Sequence, residues 1–171
     1  SEDRVRIDSS AGNLWGSKLS ANSASGDTGN LPTEYPKGYN AFYCMKYELT
    51  QAQYRDFLNT LTYDQQNVRT VSAPNSAAGA AALSSANANR NGLDIMTSGI
   101  ASSTPAIYAC NLDGDGSYNE AHDGQSVACN FISWMDGAAF LDWAALRPMS
   151  ELEFEKACRG TANVISWEYA W

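Results

Sequence analysis

The segment 147–160 most constrains the fold, because it carries a complete set of signals for one helix. Ser150 can act as the N-cap, and Glu153 follows three residues later at the spacing of a capping box. Acidic residues in the first turns interact favourably with the helix dipole. Arg159 and Gly160 supply the cation and the glycine that are typical of a helix C-terminus. The sequence therefore predicts a helix that begins after Ser150 and ends near Gly160.

Two more capping boxes predict helices earlier in the chain. Thr50 with Gln53 opens a helix expected over residues 51 to about 61, and Ser133 with Asp136 opens another. The apolar stripe expected on the first of these helices is Tyr54, Phe57, Leu58 and Leu61. The stripe expected on the second is Trp134, Ala138, Leu141 and Ala145.

Short strands are expected between these helices, separated by polar loops. The predicted strands are 4–7, 39–48, 93–96 and 106–110. Residues from about 9 to 36 have the composition of a loop. Residues 71–105 are low in complexity and rich in Ala, Ser, Asn and Gly, so we expect a surface insertion in which 77–83 could form a helical turn.

The charge of the chain disfavours polyanionic partners. The net charge is −8, the pI is about 4.5, and 11 basic residues form no clustered run. Nucleic acids and anionic membranes bind through clustered Lys and Arg, so neither partner is expected. No apolar stretch is long enough for a transmembrane helix. The acidic pI and the abundance of Ser, Asn, Gly and Tyr favour an extracellular, periplasmic or cell-surface location.

An acidic segment, 111–123, matches the opening of a calcium-binding loop. Asn111, Asp113 and Asp115 place oxygen atoms at alternate positions, and Gly116 permits the bend. The twelfth position, where an EF-hand has a bidentate glutamate, is His122, so a different geometry is expected. The predicted metal ligands are Asn111, Asp113, Asp115, Ser117, Asn119, Glu120 and Asp123. The alternative interpretation is a polar turn with solvated carboxylates.

Four cysteines leave their pairing open. Cys110 and Cys129 flank the acidic segment, and either a disulfide or a pair of free buried thiols is compatible with the sequence. Cys158 follows Phe154 by one helical turn, which favours a buried structural thiol.

No catalytic residue is predicted in this chain. His122 is the only histidine, so a two-histidine metal site is disfavoured, and catalytic triads would depend on this one loop residue. Helix-start charge accounts for Glu151, Glu153 and Glu155 without a catalytic role. An aromatic platform for sugar or peptide is possible, but a core role is favoured for its members. These are Trp134, Trp143, Trp167, Tyr169 and Trp171.

Three segments, in order, resemble the family of formylglycine-generating enzymes, also called sulfatase-modifying factors. Segment 43–59 resembles the opening strand and helix of that family, and 129–143 resembles its Val-Ser-Trp-Asp-Asp-Ala helix. Segment 147–160 resembles its Arg-Leu-Pro-Thr-Glu-Ala-Glu-Trp-Glu landmark, with Pro148 one position early and Lys156 in place of an aromatic residue. These departures suggest a divergent bacterial-type branch. The resemblance implies an α/β (α+β), C-type-lectin-like fold: an irregular twisted sheet with packed helices and long loops.

The same resemblance implies where chemistry would lie. The copper-binding cysteine pair of the family normally follows the landmark, so we expect residues 39–171 to form the first half of a domain, preceded by a strand and polar loop over 1–38. A protein partner or a further C-terminal segment would complete it. The expected function is binding or assembly by a secreted or surface module held by Ca²⁺. The alternative is an oxidase that converts a sulfatase cysteine to formylglycine with copper, using residues beyond this sequence.

Overall fold

The computed structural model describes residues 3–8, 29–84, 88–160 and 162. In this part of the chain the elements are β1 (Val5–Ile7), β2 (Gly29–Leu31), α1 (Gln51–Leu58), α2 (Tyr63–Asn67), β3 (Leu93–Thr97), β4 (Ile107–Cys110), α3 (Trp134–Trp143) and α4 (Glu151–Arg159). Both sheets among these residues are two-stranded and antiparallel. The described fold is therefore α+β, as the sequence predicted. None of the described helices is long and apolar enough to cross a membrane.

The chain divides into two compact units, of which the first combines Ser1–Cys44 with Met149–Trp171. Its sheet pairs β1 with β2, with Arg6 opposite Asn30. The predicted strand at 4–7 is confirmed. Its partner β2 belongs to a stretch expected to be loop, and residues 9–28 of that stretch lie outside the described residues.

Helix α4, in the first unit, begins and ends where the sequence predicted. Ser150 Oγ accepts a hydrogen bond from Glu153 N at 3.1 Å, and the Glu153 carboxylate accepts one from Ser150 N at 3.0 Å. These two bonds satisfy backbone donors that a helix start leaves unpaired. Gly160 closes the helix with a φ of 66°, a conformation that glycine adopts without strain.

The segment 39–48 forms no strand, so that prediction is wrong. Lys156 of α4 donates hydrogen bonds to the carbonyl oxygens of Tyr39 at 3.3 Å and Asn40 at 3.0 Å. Its ammonium group also lies 5.5 Å from the centre of the Phe42 ring. A lysine side chain thus satisfies backbone acceptors that a neighbouring strand would otherwise have to satisfy.

The second unit, Met45–Pro148, has its core under α1. Tyr54, Phe57 and Leu58 are buried, which confirms most of the predicted stripe, while Leu61 is half-buried beyond the helix. The helix ends at Leu58 rather than near residue 61, because Asn59 already serves as the C-cap.

A β3–β4 hairpin packs beneath α1 and confirms the strands predicted at 93–96 and 106–110. Ala82 N donates to Leu93 O at 2.7 Å and Ile95 N donates to Ala80 O at 2.9 Å, so this alanine-rich stretch lies alongside β3. The helical turn expected at 77–83 is therefore wrong. The segment 71–105 supplies the buried residues Ala82, Leu83, Leu93 and Ile95, so it forms part of the core.

Side-chain amides hold the helices to the hairpin. Gln66 of α2 is fully buried; its amide nitrogen donates to the carbonyls of Leu58 and Ala106, both at 3.0 Å. Its amide oxygen accepts from Ala106 N at 2.8 Å. The sequence interpretation missed α2, although Thr62 and Gln65 form a capping box that could have predicted it.

Helix α3 starts after Ser133 as predicted, but it buries a different face. Phe140 is buried and its ring meets Phe57 edge-on at 5.9 Å, whereas Trp134 is 72% exposed. Leu141 packs against the core as expected, and Ala145 lies beyond the helix end with a φ of 57°. The predicted stripe is thus wrong at its two ends, because aromatic packing on Phe57 fixes the rotation of the helix.

Candidate cation site

The acidic segment begins at the end of β4, where Asn111 is buried. Asn111 N donates to Gly92 O at 2.7 Å, and its side-chain amide donates to Asp94 Oδ2 at 2.8 Å. Asn111 Oδ1 accepts from Gly116 N at 3.3 Å. The Asn111 side chain therefore joins the loop to β3, and its amide nitrogen and amide oxygen both already form hydrogen bonds.

The tip of the loop is exposed. Asp113 Oδ1 accepts from Asp115 N at 3.3 Å, and Asp115 Oδ1 accepts from Ser117 N at 2.7 Å. These hydrogen bonds are typical of Asx-turns, in which the side-chain oxygen of an aspartate, rather than a backbone carbonyl, accepts a bond from the N–H two residues later. Glu120 and His122 are exposed as well.

Asn119 joins the loop to α1. Its Oδ1 accepts hydrogen bonds from Arg55 Nη1 at 2.7 Å and from Cys110 N at 3.1 Å, which occupies both lone pairs of that oxygen. Its own φ is 62°, a left-handed conformation that asparagine tolerates better than most residues. The guanidinium group beside it makes this edge of the loop unfavourable for a metal cation.

Asp123, at the end of the loop, is completely buried. Its Oδ2 accepts from Glu120 N at 2.6 Å. Its Oδ1 is also buried and has no hydrogen-bond partner within the described part of the chain. A buried carboxylate oxygen without a partner is costly, so this atom needs a water molecule, a proton or a cation.

Two buried acidic groups at the base of the loop, Asp94 and Asp123, interact electrostatically. Burial raises the pKa of Asp94, and the negative charge of Asp123 raises it further, while the hydrogen bond from Asn111 lowers it. Burial is the main cause of the raised pKa of Cys110, and the charge of Asp123 adds to it. Asp94 did not figure among the predicted ligands, because an isolated aspartate within an apolar strand carries no motif.

The predicted ligands therefore separate into two groups. Asn111 and Asp123 lie at the buried base with Asp94, whereas the exposed group consists of Asp113, Asp115, Ser117, Asn119 and Glu120. Among the described residues, no three His, Cys, Asp or Glu side chains cluster closely enough to hold a metal ion without other donors. An ion at the base would also need oxygens from amides, the backbone or water.

Close backbone packing fixes the two ends of the loop. Leu112 lies against Gly92 and Gly124, and a methyl group added at Gly124 would lie 2.6 Å from Leu112 Cδ2. Gly124 also has a φ of 74°. The residues that follow the loop run past the N-terminus of α1, where Gln51 N donates a hydrogen bond to Val127 O at 2.9 Å. The loop thus satisfies a donor that the helix start would leave unpaired.

All four cysteines are free thiols in this structure. Burial raises the pKa of Cys129 to about 12 and also raises that of Cys110, so neither is a preformed thiolate. Cys44 and Cys158 are exposed. The prediction that Cys158 is buried is wrong, because α4 turns Glu153 inward as part of its capping box.

An apolar groove opens in the second unit between α1 and α3. Its volume is about 260 Å³, and its lining residues are Met45, Gln53, Asp56, Phe140, Trp143, Ala144 and Leu146. Trp143 is 46% exposed and its ring lies 5.7 Å from that of Phe57. Both tryptophans were expected to lie in the core. Trp143 does so only in part, and the expectation is wrong for Trp134, which is exposed. Trp167, Tyr169 and Trp171 lie outside the described residues.

A model of the sulfatase-modifying factor enzyme 1-like domain matches residues 16–171. The chain belongs to this family. Comparisons with curated proteins and with solved structures gave no significant match. The matched range includes all three segments that carried the resemblance, so the family assignment made from the sequence is confirmed.

Proposed function

We propose that this sulfatase-modifying factor domain is an extracytoplasmic module that works by binding or assembly, with Ca²⁺ holding its acidic loop. The observation that carries the binding role is the apolar groove between α1 and α3. Phe140 forms its floor, while Trp143 and Leu146 remain 46% and 42% exposed at its rim. Apolar side chains that remain exposed to solvent around a groove are typical of sites that contact other proteins.

The size of the groove favours one occupant, an aromatic or large aliphatic side chain from a protein partner. At about 260 Å³ the groove is smaller than the usual pocket for a drug-sized ligand. Single aromatic or aliphatic side chains in small apolar pockets commonly contribute most of the affinity at protein interfaces. Gln53 at the rim adds a polar group that can orient the bound backbone.

Peptide selection on the full chain tests this role. We expect random peptides selected on the wild-type protein to share an aromatic or aliphatic anchor. Leu146→Asp should weaken their binding at least tenfold, by placing a charge in the groove. Val71→Asp is the matched control, because Val71 is 75% exposed and does not line the groove. Failure to enrich any anchor, or equal binding by both variants, would contradict the proposal.

The alternative function is copper-dependent oxidation of a sulfatase cysteine. In that alternative the oxidising cysteine pair belongs to residues outside this sequence. Burial raises the pKa of Cys110 and Cys129, so neither supplies a preformed thiolate that could replace that pair. Incubation of this chain with copper, oxygen and a cysteine-containing sulfatase peptide tests whether its own cysteines can carry out the reaction. We expect no aldehyde product. Aldehyde formation that is lost in Cys110→Ala or Cys129→Ala would establish the oxidase instead.

A further inference from the structure

The base of the acidic loop holds two buried carboxylates, Asp94 and Asp123, and neither forms an ion pair with a cationic side chain among the described residues. Within the described residues, Asp94 Oδ2 accepts one hydrogen bond, from the neutral side-chain amide of Asn111 at 2.8 Å. Asp123 Oδ2 accepts the backbone N–H of Glu120 at 2.6 Å, and Asp123 Oδ1 is buried without a partner in the described part of the chain. Neutral donors offset little of the cost of burying two negative charges.

The surroundings of these carboxylates suit a hard cation. Asn111 fixes the Asp94 carboxylate through a side chain that is itself held by Gly116 N, so the group is preorganised. Leu112, packed against Gly92 and Gly124, keeps both ends of the loop in place. Carboxylate oxygens at a rigid site, supplemented by backbone oxygens or water, are the donors that Ca²⁺ prefers.

We propose that Asp94 and Asp123 form the primary ligands of a divalent-cation site at the base of the loop, with Ca²⁺ as the ion. The carboxylates of Asp113 and Asp115 are then secondary, since both are exposed at the tip of the loop, where they stabilise the turn. This inference deepens the calcium component of the proposed function and rests on it only for the identity of the ion. Its test does not involve the apolar groove, so either proposal can fail alone.

Calorimetric titration of Ca²⁺ into the EDTA-treated full chain tests the site directly. We expect one ion per chain and a rise in Tm of about 5 °C at saturating Ca²⁺. Asp94→Asn and Asp123→Asn should each weaken binding at least about 30-fold, because each removes one of the two buried charges. The matched variants Asp113→Asn and Asp115→Asn should change it less than about threefold.

A stability crossover separates loss of the site from loss of folding. In EDTA, Asp94→Asn should be at least as stable as the wild type, since an amide oxygen can still accept the Asn111 hydrogen bond without a buried charge. In Ca²⁺ the wild type should become the more stable protein. Absence of calcium heat and of any Tm shift up to about 5 mM would overturn the proposal and leave a buried water as the partner of Asp123. Binding lost in Asp113→Asn or Asp115→Asn but kept in Asp94→Asn would also overturn it.

Discussion

Asn59 pairs with Tyr108 as a neighbouring strand would. Its Nδ2 donates to Tyr108 O at 3.0 Å, and its Oδ1 accepts from Tyr108 N at 2.8 Å. The residue that ends α1 therefore pairs with the edge of β4 that β3 leaves open. Two good hydrogen bonds from one rigid side chain fix the helix against the hairpin.

Asn59→Ala should lower the free energy of unfolding by about 1.5 kcal/mol, because it leaves both Tyr108 backbone groups without these partners. Urea denaturation followed by circular dichroism measures the change. Asn67→Ala is the matched control, since Asn67 is an exposed asparagine at the end of α2. If the two variants were equally stable, the Asn59–Tyr108 pairing would contribute nothing measurable.

Gly124→Ala should lower the free energy of unfolding by at least about 1 kcal/mol. The φ of 74° strains any residue with a Cβ, and the added methyl group would meet Leu112. Gly137→Ala is the matched control, because Gly137 lies within α3 with nothing inside 4 Å. That control should gain about 0.5–1 kcal/mol from helix propensity. The same loss in both variants would indicate that the Leu112 contact is unimportant.

Alkaline pH should destabilise the protein through Cys129. An unfolded thiol loses its proton near pH 8.5, whereas the folded Cys129 has a pKa of about 12. Between these values the unfolded state binds fewer protons, so the free energy of unfolding falls as the pH rises. Below about pH 8.5 the contribution is fully present.

Urea denaturation at pH 8 and at about pH 10.5 measures this effect. The drop in stability between the two should be smaller in Cys129→Ala than in the wild type, because that variant has no thiol to titrate. Cys158→Ala, which removes an exposed thiol, should behave like the wild type. An unchanged drop in Cys129→Ala would contradict the assignment.

Helix starts were predictable from the sequence, because each depends on a local pair of residues. The boxes at Thr50, Ser133 and Ser150 all form as expected. Helix rotation was not predictable, since contact with Phe57 decides which face of α3 is buried. The strand expected at 39–48 failed for a similar reason: Lys156, more than a hundred residues away, binds the backbone there.

Only part of the candidate site follows from a pattern in the sequence. Asn111 and Asp123 belong to a recognisable acidic pattern, and both proved to be buried. Asp94 could not be found in this way, because its position depends on the pairing of Leu93 with Cys110 across the hairpin. Register between strands brings Asp94 to the base of the loop, and no short motif encodes that register.

Protection from proteolysis tests most directly whether a bound cation holds the acidic loop. Glu-C protease can cleave after Glu120, which is exposed in the loop, and cleavage after the exposed Glu34 in the other unit provides an internal control. We predict that Ca²⁺, compared with EDTA, slows cleavage after Glu120 at least about tenfold and leaves cleavage after Glu34 unchanged. Equal rates after Glu120 in Ca²⁺ and in EDTA would contradict the account.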